Sequence, residues 1–285
     1  MQNVIYINVN PIAFTIGPVT VGWYGIMVAL AVVSLVAWAM FNARRDPKIS
    51  YDTVINAALV GIPSAIIFSR LLHVIDYWEY FMANPGKIIG GEGLTIYGAV
   101  LGAAIGVWAY SRFSKKSFGY LADMLAPGII FAQAIGRVGC VLNGCCHGVA
   151  TDLPWAFVYT HPLSDAALGI PVHPTHAYEI LFNLLVFTGL VLLRKRLQPD
   201  GSLFLVYLAA YAAWRIGIDF IRDGRELLFG LHEAQLIGIA VLIVCTVLFI
   251  VLKTRRVSRE ELAAEPPAAL EETGEPDPQD TPDST

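Results

Sequence analysis

Seven stretches of mostly apolar residues, each close to the length a helix needs to cross a bilayer, constrain this chain more than anything else in it. A spanning helix takes roughly 20 such residues. Because lipid offers nothing to an unpaired backbone amide, a chain that crosses it must do so as helices or as a closed barrel. The stretches lie near Val21–Met40, Thr53–Val74, Leu94–Tyr110, Tyr120–Gly136, His176–Leu193, Ser202–Ile221 and Glu233–Leu252. Fifty-six per cent of the chain is hydrophobic and only 15% charged, more apolar than a soluble core of this size requires. The expectation is an all-α polytopic membrane bundle of about seven transmembrane helices.

Three arginines, Arg70, Arg137 and Arg215, sit within or at the ends of these stretches. A guanidinium does not shed its charge in lipid, so each must face a counter-ion, a polar cavity or an anionic ligand. That points to a bundle built around an anion. The sixth stretch carries Tyr207, Tyr211, Arg215, Asp219 and Arg222 at steps of four, four, four and three, which keeps them near one helix face. Arg215 and Asp219 can pair along it, and with Arg137 the face offers two guanidinium forks to one phosphate. Arg70, His73 and Asp76 share a face of the second stretch and suggest a local ion-pair patch. Gly98, Gly102 and Gly106 interrupt the third at a spacing that suits close helix packing; Pro127 interrupts the fourth.

Basic residues gather in alternate loops: Arg44, Arg45 and Lys48; Arg112, Lys115 and Lys116; Arg194, Lys195 and Arg196; Lys253, Arg255, Arg256 and Arg259. The other loops hold Lys87, Arg222 and Arg225. The bias places the N-terminus outside and the C-terminus in the cytoplasm. Ahead of the first span, Asn10-Pro11 and Gly17-Pro18 punctuate short alternating runs such as Ile5 to Val9, which suits an extended segment. The net charge of -4 comes mainly from the acidic, proline-rich end. Residues 1–256 are expected to be the membrane domain and 257–285 a disordered cytoplasmic tail. No basic stripe with interleaved aromatics argues for nucleic acid.

The most unusual local sequence runs from Gly136 to Gly148 and holds Arg137, Cys140, Asn143, Gly144, Cys145, Cys146 and His147. Its glycines suggest tight turns with amides left free for an anionic oxygen beside Arg137. Next comes His173-Pro174-Thr175-His176-Ala177-Tyr178-Glu179, where Thr175 reads as an N-cap, Glu179 as an answer to the helix dipole and the histidines as structural. Adjacent cysteines seldom give two ligands to one zinc, so neither metal nor any other cofactor is expected. A disulfide from Cys140 to Cys145 or Cys146 stays open.

Taken together, Pro11 to Phe14, Gly17-Pro18, Trp23-Tyr24-Gly25, Gly93 to Gly102, Gly136-Arg137 through Asn143-Gly144 to Gly148, His173 to Glu179, and Tyr211 through Arg215 to Arg222 resemble the prolipoprotein diacylglyceryl transferases of bacterial inner membranes. The resemblance spans nearly the whole membrane part. It implies a seven-helix enzyme that takes phosphatidylglycerol and moves its diacylglyceryl group to the lipobox cysteine thiol of a prolipoprotein, releasing glycerol-1-phosphate. It also implies catalytic roles for Arg137 and Arg215, and substrate contacts for Tyr24, Asn143, Gly148 and Tyr211, to which the charged face of the sixth stretch, as a substrate wall, adds Asp219 and Arg222. Tyr97 stands where many members carry a histidine proposed as base, and a phenol with a pKa near 10 is a poor base at neutral pH. Tyr97 is therefore placed with the catalytic pair as a lipid-orienting group, and His147 or His176 becomes the candidate acceptor of the thiol proton. Cys140 and Asp219 also depart from residues common in the family. A monomer is expected.

Two other readings compete. A membrane thiol-disulfide oxidoreductase would use the outer cysteines and lose activity when they are blocked, whereas the transferase reading tolerates their replacement. A non-catalytic lipid carrier would bind phosphatidylglycerol and release no glycerol phosphate.

Overall fold

A computed structural model describes residues 4–89, 93, 95–222, 226–228 and 230–264. The chain opens with three short strands, β1 (Ile5–Ile7), β2 (Ile12–Ile16) and β3 (Val19–Gly22), the extended lead-in expected from the alternating runs. Helices α1 (Trp23–Ala43) and α2 (Tyr51–Asp76) follow, then a short α3 (Trp78–Ala83), then α4 (Ile96–Ser114) and α5 (Phe118–Asn143). Strands β4 (Phe157–Tyr159) and β5 (Pro171–Val172) lie between α5 and α6 (Thr175–Leu193). After α7 (Ser202–Ile218), β6 (Glu226–Leu228) and β7 (Leu231–His232) lead into α8 (Glu233–Ala264).

Each expected apolar stretch contains one long helix. Six of the seven are long and apolar enough to cross a membrane by length and composition. The seventh, α4, packs closely on α2. A Cβ on Gly98 would lie 2.4 Å from the Phe68 carbonyl oxygen and one on Gly102 2.4 Å from that of Ser64, so the glycines let α4 lie against the backbone of α2. The Ser64 hydroxyl donates to the Gly102 carbonyl at 2.7 Å across the same seam. Large apolar side chains such as Leu30, Val33, Ile66, Ile67, Ile243 and Val247 point outward. On a soluble protein such a surface would aggregate; around a bundle it is the lipid face.

Pro127 does not break α5, which runs unbroken through it. Neighbours compensate beside it: the Trp38 indole donates to the Met124 carbonyl at 2.9 Å, and Gly128 brings α1 close. The Asp123 carboxylate reaches from α5 to the start of α7, accepting the Gly201 amide at 2.7 Å and the Phe204 amide at 2.8 Å. Gly201, the N-cap of α7, has no side chain to do this, so α5 caps α7.

At the opposite end a small layer covers the bundle. β1 pairs in parallel with β4, and β4 with β5 antiparallel, so the N-terminal segment is woven into the long connection between α5 and α6. β2 and β3 form a hairpin, as do β6 and β7. α8 continues to Ala264, past the boundary at 256 expected from composition; residues 265–285 lie outside the described residues.

Candidate active site

The Gly136–Gly148 stretch is not a glycine loop. α5 continues to Asn143, so the amides expected to be free for an anion are taken by helical bonds over its first half. Gly136 has nothing near its missing Cβ, and Gly139 lies against Tyr24 and Met27 of α1. The turn comes only at Gly144, whose φ of +79° closes the helix and whose amide donates to the Cys140 carbonyl at 2.9 Å.

The extra helical length carries Arg137 into the packed part of the bundle. Its Nε sits 2.9 Å from Oε1 of Glu179 on α6, a carboxylate only 1% exposed. The Tyr211 hydroxyl of α7 donates to the same Oε1 at 3.2 Å and also meets Arg137. Glu179 therefore joins three helices. From sequence it reads as a dipole partner; the better signal was an acid one turn inside an apolar span, which by default has a partner.

One turn along α7 from Tyr211, Arg215 pairs with Asp219 at 3.1 Å, and the second Asp219 oxygen meets Nδ1 of His232 at 2.9 Å. Asp219 is thus a buried counter-ion with both oxygens committed. His232 had no sequence signal. Nη1 of Arg215 has charge contact with Asp219 but no aligned hydrogen bond, leaving donor capacity. Tyr211 feels both guanidiniums. The register explains why the two arginines share a level: fourteen residues separate Asp123 from Arg137 and fourteen separate Gly201 from Arg215. α5 and α7 run the same way from their joint at Asp123, so each arginine stands about 21 Å above it at 1.5 Å per residue.

One turn deeper, Asn183 is fully buried with both side-chain atoms unpaired, and Gln133 on α5 has an unpaired Oε1. Buried amide atoms without partners are what a polar ligand would satisfy. Above the arginines, Gly148 makes an antiparallel bridge with Arg222, and the Val149 amide donates to the Ile221 carbonyl at 3.0 Å. A Cβ on Gly148 would lie 2.3 Å from that carbonyl oxygen, so only glycine lets this connection clasp the end of α7.

Tyr24, in the first turn of α1, stands close to Arg137 and the three cysteines, and is 44% exposed. Asn143 is the last residue of α5 and bonds Asp165, a partner not foreseen. Tyr97 occupies the second position of α4; its side chain lies outside the described residues, as do those of Glu92 and Arg225. Thr175 does not cap α6: Pro174 is the N-cap, and the Thr175 hydroxyl donates to the Cys146 carbonyl at 2.7 Å. His176 is structural, 1% exposed with Nε2 2.6 Å from the Tyr159 hydroxyl, and too enclosed to take a proton from an arriving thiol. Burial of Tyr159 pushes its phenol well above the ordinary value. Among the described residues, Arg70 donates to the carbonyls of Ile88, Gly93 and Lys87 at 3.0, 2.9 and 2.5 Å.

All four cysteines are free thiols. The sulfurs of Cys140, Cys145 and Cys146 lie within 4.8 Å of one another, with Cys140 3.8 Å from Nη1 of Arg137. Hydrogen bonds with Cys140 and Cys145 hold the Cys146 thiol below the ordinary thiol range, and those with Cys140 and Cys146 hold Cys145 above it.

Fold and site define a multi-pass helical membrane protein with two guanidiniums, buried counter-ions and a thiol cluster at one end. The chain belongs to the prolipoprotein diacylglyceryl transferase family, whose model matches residues 11–251. Proteins named phosphatidylglycerol--prolipoprotein diacylglyceryl transferase are similar to it. One from Dehalococcoides mccartyi strain 195 is 52% identical over 250 residues, 88% of this chain and 96% of its own length. One from Clostridioides difficile is 33% identical over 230 residues (80% and 89%), and one from Listeria welshimeri 33% identical over 272 (92% and 94%).

Proposed function

We propose that this chain transfers the diacylglyceryl group of phosphatidylglycerol to the lipobox cysteine of prolipoproteins, forming a thioether and releasing glycerol-1-phosphate. The observation that carries the site assignment is the common level of Arg137 and Arg215 around Tyr211, each about one-fifth exposed and each backed by a buried carboxylate. Two such cations stabilise the charge that grows on the departing phosphate. The substrate sulfur attacks the glycerol carbon, the carbon–oxygen bond to phosphate breaks, and the guanidiniums receive the oxyanion. Tyr24, Asn143, Tyr211 and Arg222 orient the lipid, with Tyr97 at the mouth of α4. Asn183 and Gln133 meet ester oxygens one turn deeper. Asp219 acts through Arg215, and Gly148 fixes the clasp.

Seven long apolar helices support seven spans, and the basic bias of alternate loops supports an outer N-terminus and a cytoplasmic tail. They place the site on the outer side of a bacterial cytoplasmic membrane, with the protein acting as a monomer. The test is transfer of label from phosphatidylglycerol to a lipobox peptide by purified protein, with a Cys→Ser peptide as control. Arg137→Ala is expected to abolish transfer in a folded protein; a folded, fully active variant overturns the assignment.

A further inference from the structure

We propose that Cys140, Cys145 and Cys146 form a three-thiolate site for a soft divalent cation, zinc by its chemistry, whose open fourth position takes the incoming substrate thiol. The inference rests on the transferase reading and reverses two expectations: that adjacent cysteines do not share a metal, and that the transferase tolerates their replacement.

Consecutive side chains in an extended chain point to opposite sides. Here the backbone removes that obstacle: Cys146 has a φ of +62°, a left-handed conformation that, among the described non-glycine residues, only Lys115 shares. Such strain persists where the surroundings hold it, most often at functional sites. The Thr175 hydroxyl on the Cys146 carbonyl and the left-handed Gly144 supply the hold on either side. As a result all three sulfurs converge. Zinc–sulfur bonds of about 2.3 Å put tetrahedral thiolates about 3.8 Å apart, a closing of about 1 Å that side-chain rotation provides.

Exposure grades across the cluster, from buried Cys140 through Cys145 to exposed Cys146, so one side stays open as in catalytic rather than structural zinc sites. All-sulfur donors select soft ions over magnesium or calcium. Three thiolates and a divalent cation carry one net negative charge, which Arg137 beside Cys140 and Arg222 near Cys146 offset.

The chemistry fills a gap. His176 is enclosed and Nδ1 of His147 faces the Gly148 carbonyl at 2.9 Å. A metal needs no base: the substrate thiol binds as the fourth ligand and releases its proton to water. The bound thiolate forms the new sulfur–carbon bond as the carbon–oxygen bond to phosphate breaks, and glycerol-1-phosphate leaves against Arg137. The product thioether is neutral, a weaker ligand, and departs.

The test uses full-length protein in detergent, reduced and stripped with chelator without oxygen, then titrated with Cd(II). The expected result is thiolate-to-cadmium ultraviolet absorption saturating at one ion per chain. Cys140→Ser, Cys145→Ser and Cys146→Ser, each checked for unaltered thermal unfolding, weaken binding on the order of a hundredfold or more; Cys245→Ser does not. A lipobox peptide changes the spectrum of the loaded protein, and its serine version does not. Absent or non-stoichiometric absorption, or triad variants that bind like the parent, overturns the site. Transfer that continues at full rate after stripping overturns the metal's role and leaves the transferase reading standing. Stoichiometric binding with no transfer under any loading sinks the transferase reading, and with it the role of the fourth position.

Discussion

Glu179→Gln tests the organisation of the site most directly. The substitution keeps shape and an acceptor oxygen but removes the charge that faces Arg137 at 2.9 Å. At an effective dielectric of 20 the gross attraction at that distance is about 6 kcal/mol. Much of it is offset by the desolvation of a carboxylate that is 1% exposed. Deleting one partner of a buried pair costs about 3–5 kcal/mol. Arg137 keeps 20% exposure and a hydrogen bond to the glutamine, which brings the cost down to or just below that range, about 2–3 kcal/mol of stability. Catalysis should suffer more, because Arg137 and Tyr211 lose their common anchor. Misplacing one charge-stabilising donor costs roughly a hundredfold in turnover. Label transfer from phosphatidylglycerol to a lipobox peptide measures this, beside thermal unfolding in the same detergent. A Glu179→Gln protein with turnover within twofold of the parent would refute the view that the carboxylate holds the catalytic guanidinium.

Other outcomes follow from the same geometry. Gly148→Ala forces the clasp open against the Ile221 carbonyl and is expected to lower turnover at least tenfold, while Gly136→Ala, with nothing within 4 Å, leaves it unchanged; equal behaviour of the two would count against the clasp. Asp123→Ala removes the cap of α7 and should cost about 1–2 kcal/mol in unfolding experiments, with a drop in transfer as Arg215 loses its level. Asn183→Leu removes two unpaired buried polar atoms, so it is expected to stabilise by about 1–3 kcal/mol while lowering kcat/KM; a stabilised variant with unchanged kcat/KM would place Asn183 outside the lipid path. In metal-free protein, hydrogen bonds with Cys140 and Cys145 hold the Cys146 thiol below the ordinary range, so its iodoacetamide labelling rate should rise less steeply from pH 6 to 8 than that of an ordinary thiol. An ordinary thiol's rate rises about tenfold per unit over that range, and such a rise at Cys146 would contradict the shift.

Much of the fold is visible in hydropathy alone because lipid leaves the backbone little choice. Arg215 with Asp219 is visible too, because a helix brings residues four apart together by construction. The partners of Arg137 are harder to see. Glu179 comes from another helix, and a carboxylate in the first turns of α6 has a cheaper explanation in the dipole. The glycine run misleads for a related reason: glycine marks close approach as often as a turn, and only packing against Tyr24 and Met27 tells which. Asp123 and His232 act across the bundle, so no local pattern announces them.

The double attachment of α5 to α7 has a consequence for how a lipid enters. One joint is the Asp123 cap at the base, the other the Gly148–Arg222 clasp above the arginines, and both depend on backbone amides. Helices joined directly at one end, and at the other through the segments that follow them, resist parting to admit a two-chain substrate. Any gate must open elsewhere in the bundle, and the lipid arrives at a slot whose width was set before it came.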